Sequence, residues 1–421
     1  MVQKVTLSNG VRILTEKIPA VRSVAIGIWV KVGSRDEDEN IAGISHLIEH
    51  MMFKGTKKRS AKDLAEALDA VGGQLNAFTS KEYTCYYAKV LDEHLGLAID
   101  VLSDMFFNSV FDEAEIQKEK NVVLEEIKMY EDTPDDQVHD LLTSQVLNKH
   151  PLGRPIIGSK ASVASITRTD IMKFYETHYV PQNTVVSVAG NIDVDQVVRQ
   201  LEQQFAQVNG LQMPRTLVEL SEQGGVLTKK KDIEQFHLCM GFPGLKMDHP
   251  QTYVLHVLNS VLGGGISSRL FQTVREERGM AYSVYSYQSA YQETGMFGIY
   301  AGFSKDNLAG LLELIIDQLR DLKDQGITER ELERAKAQLK GNLFLSLENV
   351  SSRMSRIGKG ELCLDKVITT DEVVERISAV TLSEVSDLAN QIFCPEALNI
   401  ATIGPSEESE LIIEILDKCK L

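Results

Sequence analysis

The stretch ITRTDIMKFYETHYVPQNTVVSVAG, residues 166–190, decides the fold because a second version of it occurs at residues 380–404, VTLSEVSDLANQIFCPEALNIATIG. Both versions read as a capped helix that leads through a turn into a short apolar strand. Three pairs of matching residues are each separated by 214 positions: Thr167 and Thr381, Pro181 and Pro395, Gly190 and Gly404. The chain therefore contains an internal repeat, in which its second half resembles its first.

Two further pairs of segments repeat with nearly the same offset. FDEAEIQKEKNVVLEE matches ITERELERAKAQLKGN at 216 positions, and NGVRILTEK matches GGVLTKKKD at 215. The members of the first pair open like helices with capping boxes, Asp112 with Glu115 and Thr328 with Glu331. A stable offset across three kinds of element predicts two similar domains of about two hundred residues each. The predicted domains span residues 1–212 and residues 213–421.

The order of elements within each copy predicts the fold class. A strand pair comes first, and helices, further strands with alternating Tyr, Thr and Ser, and a long helical stretch follow. A last helix then leads to the final apolar strand. This order favours an α+β fold, in which each domain packs an antiparallel-rich sheet against helices, over a doubly wound parallel sheet.

Composition excludes several classes of protein. A chain of 421 residues is too long for one hydrophobic core. Its formal charge of −16 argues against a general nucleic-acid binder and favours attraction of basic peptides. The five cysteines are scattered without CxxC spacing, which indicates reduced thiols. Neither a signal-like apolar segment at the start nor an apolar run of membrane-spanning length is present, so a cytoplasmic location without membrane attachment is expected.

The segment GISHLIEHMMFKGT, residues 43–56, places three titratable side chains on an oily helix. His46 and His50 are four residues apart and share one helical face, and Glu49 precedes the second histidine. Burying such groups without partners would cost roughly 2–7 kcal/mol each. A metal ion is one partner that would relieve this cost, and hydrogen bonding of ordinary core histidines is the other.

A second acidic segment, EKNVVLEEIKMYED, contains a pair of glutamates with helical spacing. Glu119 and Glu126 are seven residues apart and share a face, whereas Glu125 is rotated by about 100°. A solvated helix face would explain any one of these acids. The intervening run Val-Val-Leu, residues 122–124, indicates instead that part of this helix is buried.

Three motifs together resemble the inverzincin zinc peptidases, a family that includes mitochondrial processing peptidase, pitrilysin and insulin-degrading enzyme. The motifs are GISHLIEHMMFKGT, GGQLNAFTSKEYTCYY and EKNVVLEE, and the first contains the inverted H-x-x-E-H signature. The resemblance spans both copies of the repeat. In length and in its single pair of domains, the chain is most similar to the bacterial processing-peptidase branch.

The resemblance implies a zinc-dependent metalloendopeptidase with one zinc ion per chain. It assigns His46, His50 and Glu126 as zinc ligands, Glu49 as the general base, and Glu119 as a supporting acid. Three protein ligands leave the open position that catalytic zinc requires.

The resemblance also implies substrate contacts. NAFTSKEYT alone is simply a good strand, but in the family this strand lies at a sheet edge and pairs with the peptide, with Asn76 and Ala77 closest to the scissile bond. Arg275 and Tyr282 match an Arg/Tyr pair that reaches the substrate from the opposite side. Without the resemblance, these two would pass for ordinary surface or packing residues.

The second copy lacks the zinc ligands. At an offset of 216, Ala335 replaces Glu119 and Asn342 replaces Glu126. In related enzymes four such domains enclose a chamber, and this chain supplies two, so the resemblance implies a homodimer that cleaves extended or unfolded peptides. The alternative is a non-catalytic scaffold subunit of the same fold, such as the core subunits of respiratory complexes.

Overall fold

The computed structural model describes residues 2–206, 209–215, 218 and 224–419, which divide into two units. The first unit takes its described residues from 1–129, 154–216 and 344–367. The second takes them from 130–153, 217–343 and 368–421. Segments 130–153 and 344–367 are therefore exchanged, since each half of the chain contributes one segment to the unit built mainly from the other half.

The described residues of each unit form one β-sheet. The strands are β1 (Val2–Thr6), β2 (Arg12–Lys17), β3 (Ser23–Val30), β4 (Gln74–Thr79), β5 (Thr84–Leu91), β6 (Thr184–Gly190), β7 (Gly225–Lys230), β8 (Gln235–Gly244), β9 (Ala281–Ala290), β10 (Gly295–Ser304) and β11 (Asn399–Gly404). The orders are β1-β2-β6-β3-β5-β4 and β7-β11-β8-β10-β9. Pairs β2–β6 and β7–β11 are parallel, and the other pairs are antiparallel.

Helices cover both faces of each sheet. They are α1 (Ile44–Met51), α2 (Ala61–Asp69), α3 (Leu95–Asn108), α4 (Glu113–Glu131), α5 (Pro134–Val146), α6 (Lys160–Ser165), α7 (Arg168–His178), α8 (Val194–Phe205), α9 (Thr252–Leu262), α10 (Leu308–Asp324), α11 (Glu329–Ser346), α12 (Val350–Leu364), α13 (Thr370–Ala379), α14 (Leu382–Ile392) and α15 (Ser409–Cys419). The α+β fold predicted from the repeat is confirmed.

In the first unit, strand β3 shows how a sheet can be buried on both faces. Val24 and Ile26 point into the core formed with helices that include α1 and α3. Trp29 points to the other face, where its Nε1–H donates a hydrogen bond of 2.8 Å to Ser187. The exchanged helix α12 packs there, with Gly358 so close that a methyl group would lie 2.3 Å from the indole nitrogen. Glycine at this position therefore permits the approach of the helix.

The second unit repeats this arrangement with the other exchanged helix. On β8, Leu238 and Met240 belong to a core that includes residues of α9, α10 and α14. Cys239 lies on the opposite face and packs with Val138 and Leu142 of α5. In both units a helix from the other half of the chain covers the second face of the sheet.

One of the two predicted capping boxes forms completely. Thr328 and Glu331 exchange both hydrogen bonds at the start of α11. Asp112 accepts the N–H of Glu115 at the start of α4, but the Glu115 carboxylate contacts Lys118 at 2.5 Å. The Asp112 N–H does not donate to the Glu115 carboxylate among the described residues, so the reciprocal half of that predicted box is wrong. No helix in the described ranges has the length and apolar character needed to cross a bilayer.

Candidate metal centre

Helix α1 presents the His-x-x-Glu-His residues from a fixed starting point. Its N-cap residue, Gly43, has φ +95°, a conformation that side-chain-bearing residues adopt rarely. The buried Glu37 carboxylate accepts hydrogen bonds from the backbone N–H groups of Gly43 (2.7 Å) and Ser45 (2.9 Å). Four of the helix's apolar side chains, Ile44, Leu47, Ile48 and Met51, are buried. These buried side chains pack α1 against the core and leave its titratable residues on the other face.

Glu37 predicts a pH-dependent stability. Burial raises its pKa to about 7, although the two backbone N–H groups act in the opposite direction. Between pH about 4.5 and about 7, Glu37 is ionised in the unfolded state and largely protonated in the folded state. It therefore makes the free energy of unfolding fall as the pH rises. We expect Glu37→Gln to remove that slope, so that the variant gains on the order of 3 kcal/mol relative to wild type between pH 4.5 and 8.

Urea unfolding of the metal-free protein in chelator at several pH values would measure this effect. Exposed Glu66 on α2 offers a matched control, and Glu66→Gln should keep the wild-type slope. A difference between Glu37→Gln and wild type that stays constant with pH would contradict the prediction.

Helix α4 carries the predicted glutamates on the predicted faces. Glu119 is buried and Glu126 is partly buried, and both reach α1. Glu125 is exposed and pairs with Lys128 at 2.6 Å, away from the groups that contact α1. Residues 116, 123 and 127 of α4 are also buried, which explains why a helix this polar packs against the core.

His46, His50 and Glu126 come together as a group that fits a metal ion. Their candidate ligand atoms all lie within 4.8 Å of one another. Glu126 Oε2 is 3.9 Å from His46 Nε2 and 3.7 Å from His50 Nε2. Ligands around tetrahedral zinc are about 3.3 Å apart, and the two Glu126 separations exceed that spacing by about 0.6 Å or less. Glu126 Oε2 is also buried without a hydrogen-bond partner among the described residues, which is expected of an atom that would bind a metal ion.

The electrostatics of the site suit metal binding and proton transfer. Burial and the neighbouring His50 lower the pKa of His46 to about 4, so its imidazole is neutral near pH 7 and offers a lone pair. Burial also raises the pKa of Glu49, while a hydrogen bond from Thr79 opposes that change. The Thr79 hydroxyl donates this bond to Glu49 Oε2 over 2.5 Å. A carboxylate with a raised pKa is suited to accept and return a proton near neutral pH.

A chain of polar contacts holds His50 through its Nδ1 atom. Glu119 Oε1 lies 3.0 Å from His50 Nδ1, and Glu119 Oε2 lies 2.7 Å from Lys54 Nζ. If Nδ1 donates its hydrogen to this carboxylate, the lone pair of Nε2 faces Glu126. Metal-ligating histidines are commonly oriented by a carboxylate in this way.

Strand β4 lies at the end of the first sheet and, in the described part of the chain, pairs only with β5. Asn76 is exposed, and its Oδ1 accepts the N–H of Ala77 at 2.8 Å. Two residues further on, Thr79 contacts Glu49, so the edge strand leads directly to helix α1. The assignment of Asn76 and Ala77 to substrate binding stays a prediction, and the free edge is the feature that such binding requires.

The other predicted substrate pair lies in the second unit. Arg275 belongs to a π-helical segment, Phe271–Glu277, and its Cζ lies 4.8 Å from the ring centroid of Tyr282. Tyr282 is 79% exposed on β9. Their role in substrate binding stays a prediction. On α11, Ala335 is buried in the core, and no second group of three metal-ligating side chains assembles within the described ranges.

Three residues of this region were not predicted from the sequence to belong to the site. Lys54 lies within the quoted motif, four residues after His50, and Thr79 shares a strand face with Ala77. Spacing could have indicated both of them. Glu37 is one of several acids in SRDEDEN, and nothing in that segment distinguishes it.

The chain belongs to peptidase family M16. Residues 12–160 match the family described as insulinase (peptidase family M16), and residues 165–339 match the peptidase M16 inactive domain. The chain is 52% identical to the uncharacterized zinc protease YmxG of Bacillus subtilis, over 96% of this chain and 99% of the relative. The resemblance drawn from the three motifs is thereby confirmed at the level of the family.

Solved structures show the same fold. A protease from Helicobacter pylori superposes with a TM-score of 0.91 at 23% identity, covering 96% of this chain and 99% of that one. A chain of complex III2 from Candida albicans superposes with a TM-score of 0.85 at 21% identity, covering 98% and 99%. At these identities the likeness establishes the fold and leaves the activity to be argued from the site.

Proposed function

We propose that this protein is a zinc-dependent metalloendopeptidase that hydrolyses extended or unfolded peptides, in the manner of a processing peptidase. The observation that carries the proposal is the convergence of His46, His50 and the unpartnered carboxylate oxygen of Glu126, with Glu49 beside them. A fold-maintaining role gives no reason to keep that oxygen buried and unpaired. The described residues contain one such group, which supports one zinc ion per chain.

The residues of the site divide the catalytic work. A bound zinc ion would supply Lewis acidity, which polarises a carbonyl group and lowers the pKa of water to about 7. Glu49 accepts the proton of the attacking water and returns it to the leaving amine. Thr79 holds Glu49 through its hydroxyl group. The edge of β4 binds the substrate backbone as an added strand, with Asn76 and Ala77 next to the scissile bond.

Digestion of a peptide library, followed by mass analysis of the products with and without a chelator, tests this function. We expect cleavage of unstructured peptides that stops in chelator and returns when zinc is added. The negative charge of the protein supports a preference for basic peptides. Absence of chelator-sensitive cleavage from every peptide would contradict the proposal.

The second candidate is a non-catalytic scaffold subunit, which the match of residues 165–339 to the peptidase M16 inactive domain supports. A scaffold needs no metal. Zinc analysis of the purified protein separates the two candidates, since the peptidase should hold zinc at one equivalent per chain and the scaffold should hold none.

We further propose a homodimer that closes the site in a chamber, with Arg275 and Tyr282 of one protomer binding the substrate at the zinc centre of the other. Mixing two inactive variants tests this arrangement. Random dimers of Glu49→Gln and Arg275→Ala protomers should recover roughly a quarter of the wild-type activity, because only the mixed dimers contain one complete site.

The homogeneous variants serve as controls for the mixing experiment, since neither should gain activity alone. Recovery below a few per cent would show that Arg275 acts within its own chain. A monomer with full activity would contradict the dimer.

A further inference from the structure

Lys54 contacts Glu119 at the metal centre and has no part in the catalytic roles proposed above. Helix α1 ends at Met51, and the following turn, closed by a bond from Lys54 N–H to the Met51 carbonyl, brings the Lys54 side chain toward α4. Its ammonium group lies 2.7 Å from Glu119 Oε2. The lysine side chain is 31% exposed, whereas that of Glu119 is 7% exposed. The pair is therefore half-buried, unlike a freely solvated surface ion pair.

The negative charge of the metal centre explains why a positively charged side chain is needed beside Glu119. Glu49, Glu119 and Glu126 place three carboxylates beside the two histidines. A divalent cation would offset two of these three formal charges, and Lys54 supplies the third positive charge. A buried carboxylate without a compensating cation is strongly unfavourable, and its side chain would turn toward solvent if it could.

The direction of the contacts defines what Lys54 controls. One oxygen of Glu119 is held by Lys54, and the other is held against His50 Nδ1. Fixing the first oxygen therefore fixes the second, and with it the orientation of the imidazole whose Nε2 faces Glu126. The lysine does not need to approach the substrate or the metal to have this effect.

We propose that Lys54 is a positioning residue of the metal centre, which holds Glu119 against His50 and thereby sets the affinity for zinc. This inference rests on the proposed zinc site. Loss of an outer partner of a metal-ligating histidine typically weakens metal binding tenfold to a hundredfold. An exposed ion pair of purely structural value would leave zinc affinity unchanged.

Zinc dissociation constants of the full-length metal-free protein, measured by competition with a fluorescent zinc chelator, test the proposal. We expect Lys54→Met to bind zinc roughly tenfold to a hundredfold more weakly than wild type, and Lys54→Arg to recover most of the loss. Lys128→Met is the matched control, because Lys128 forms an exposed pair with Glu125 at 2.6 Å on the same helix α4. It should bind zinc as wild type does.

A double variant identifies the route of the effect. If Lys54 acts through Glu119, adding Lys54→Met to Glu119→Gln should weaken zinc binding no further than Glu119→Gln alone. A Lys54→Met protein that binds zinc within twofold of wild type, or a double variant whose losses add, would overturn the inference and leave the proposed peptidase standing. Failure of the wild-type protein to bind zinc would overturn both.

Discussion

Glu49→Gln is expected to abolish nearly all peptidase activity while zinc remains bound. Positioned proton transfer contributes about a hundredfold to ten-thousandfold to catalysis, and a neutral amide cannot accept the proton. Glutamine keeps the size of the side chain and can still accept the hydrogen bond from Thr79. The loss should therefore appear in kcat, measured with an internally quenched peptide, with little change in KM.

Zinc content provides the internal control for this variant. Glu49 is not one of the three converging ligands, so the metal should stay at the wild-type level. Full activity with zinc bound would remove Glu49 from the mechanism, and activity lost together with zinc would assign it a role in metal binding.

Glu126→Gln is expected to lose zinc and, with it, activity. Its carboxylate oxygen faces both imidazoles without a hydrogen-bond partner among the described residues, and a neutral amide is a much poorer zinc ligand. The affinity for zinc should fall by more than the roughly tenfold to hundredfold typical of an outer partner. Dialysis against a zinc buffer followed by metal analysis would measure the loss.

The adjacent residue supplies a matched control. Glu125→Gln makes the same chemical change one position away, on the exposed side of α4. It should keep zinc and activity. Equal behaviour of the two variants would contradict the assignment of Glu126 as a ligand.

The sequence predicted the structure best where residues recur at a fixed separation along the chain. The duplicated strand and helix predict two similar α+β domains, and a separation of seven residues places Glu119 and Glu126 on one face of α4. Periodicity predicts such features because it follows directly from the geometry of a helix or strand. Both predicted glutamates contact α1 in the structure.

Features that depend on contacts between distant segments could not be predicted in this way. The bond between Thr79 and Glu49 joins a strand to a helix 30 residues away, and the pair Lys54–Glu119 joins two elements whose relative position no local pattern specifies. The exchange of α5 and α12 is a third example. Nothing local to either helix identifies the sheet that it covers.

That exchange constrains how the protein is made. Trp29 is synthesised before Gly358, which packs on it and follows 329 residues later. Until α12 has been synthesised, this face of the first sheet lacks the helix that covers it. Contacts so far apart in sequence slow folding, and an exposed sheet face favours association with other chains. The first half of the chain, although it carries the proposed zinc ligands, therefore depends on α12 from the second half to complete its fold.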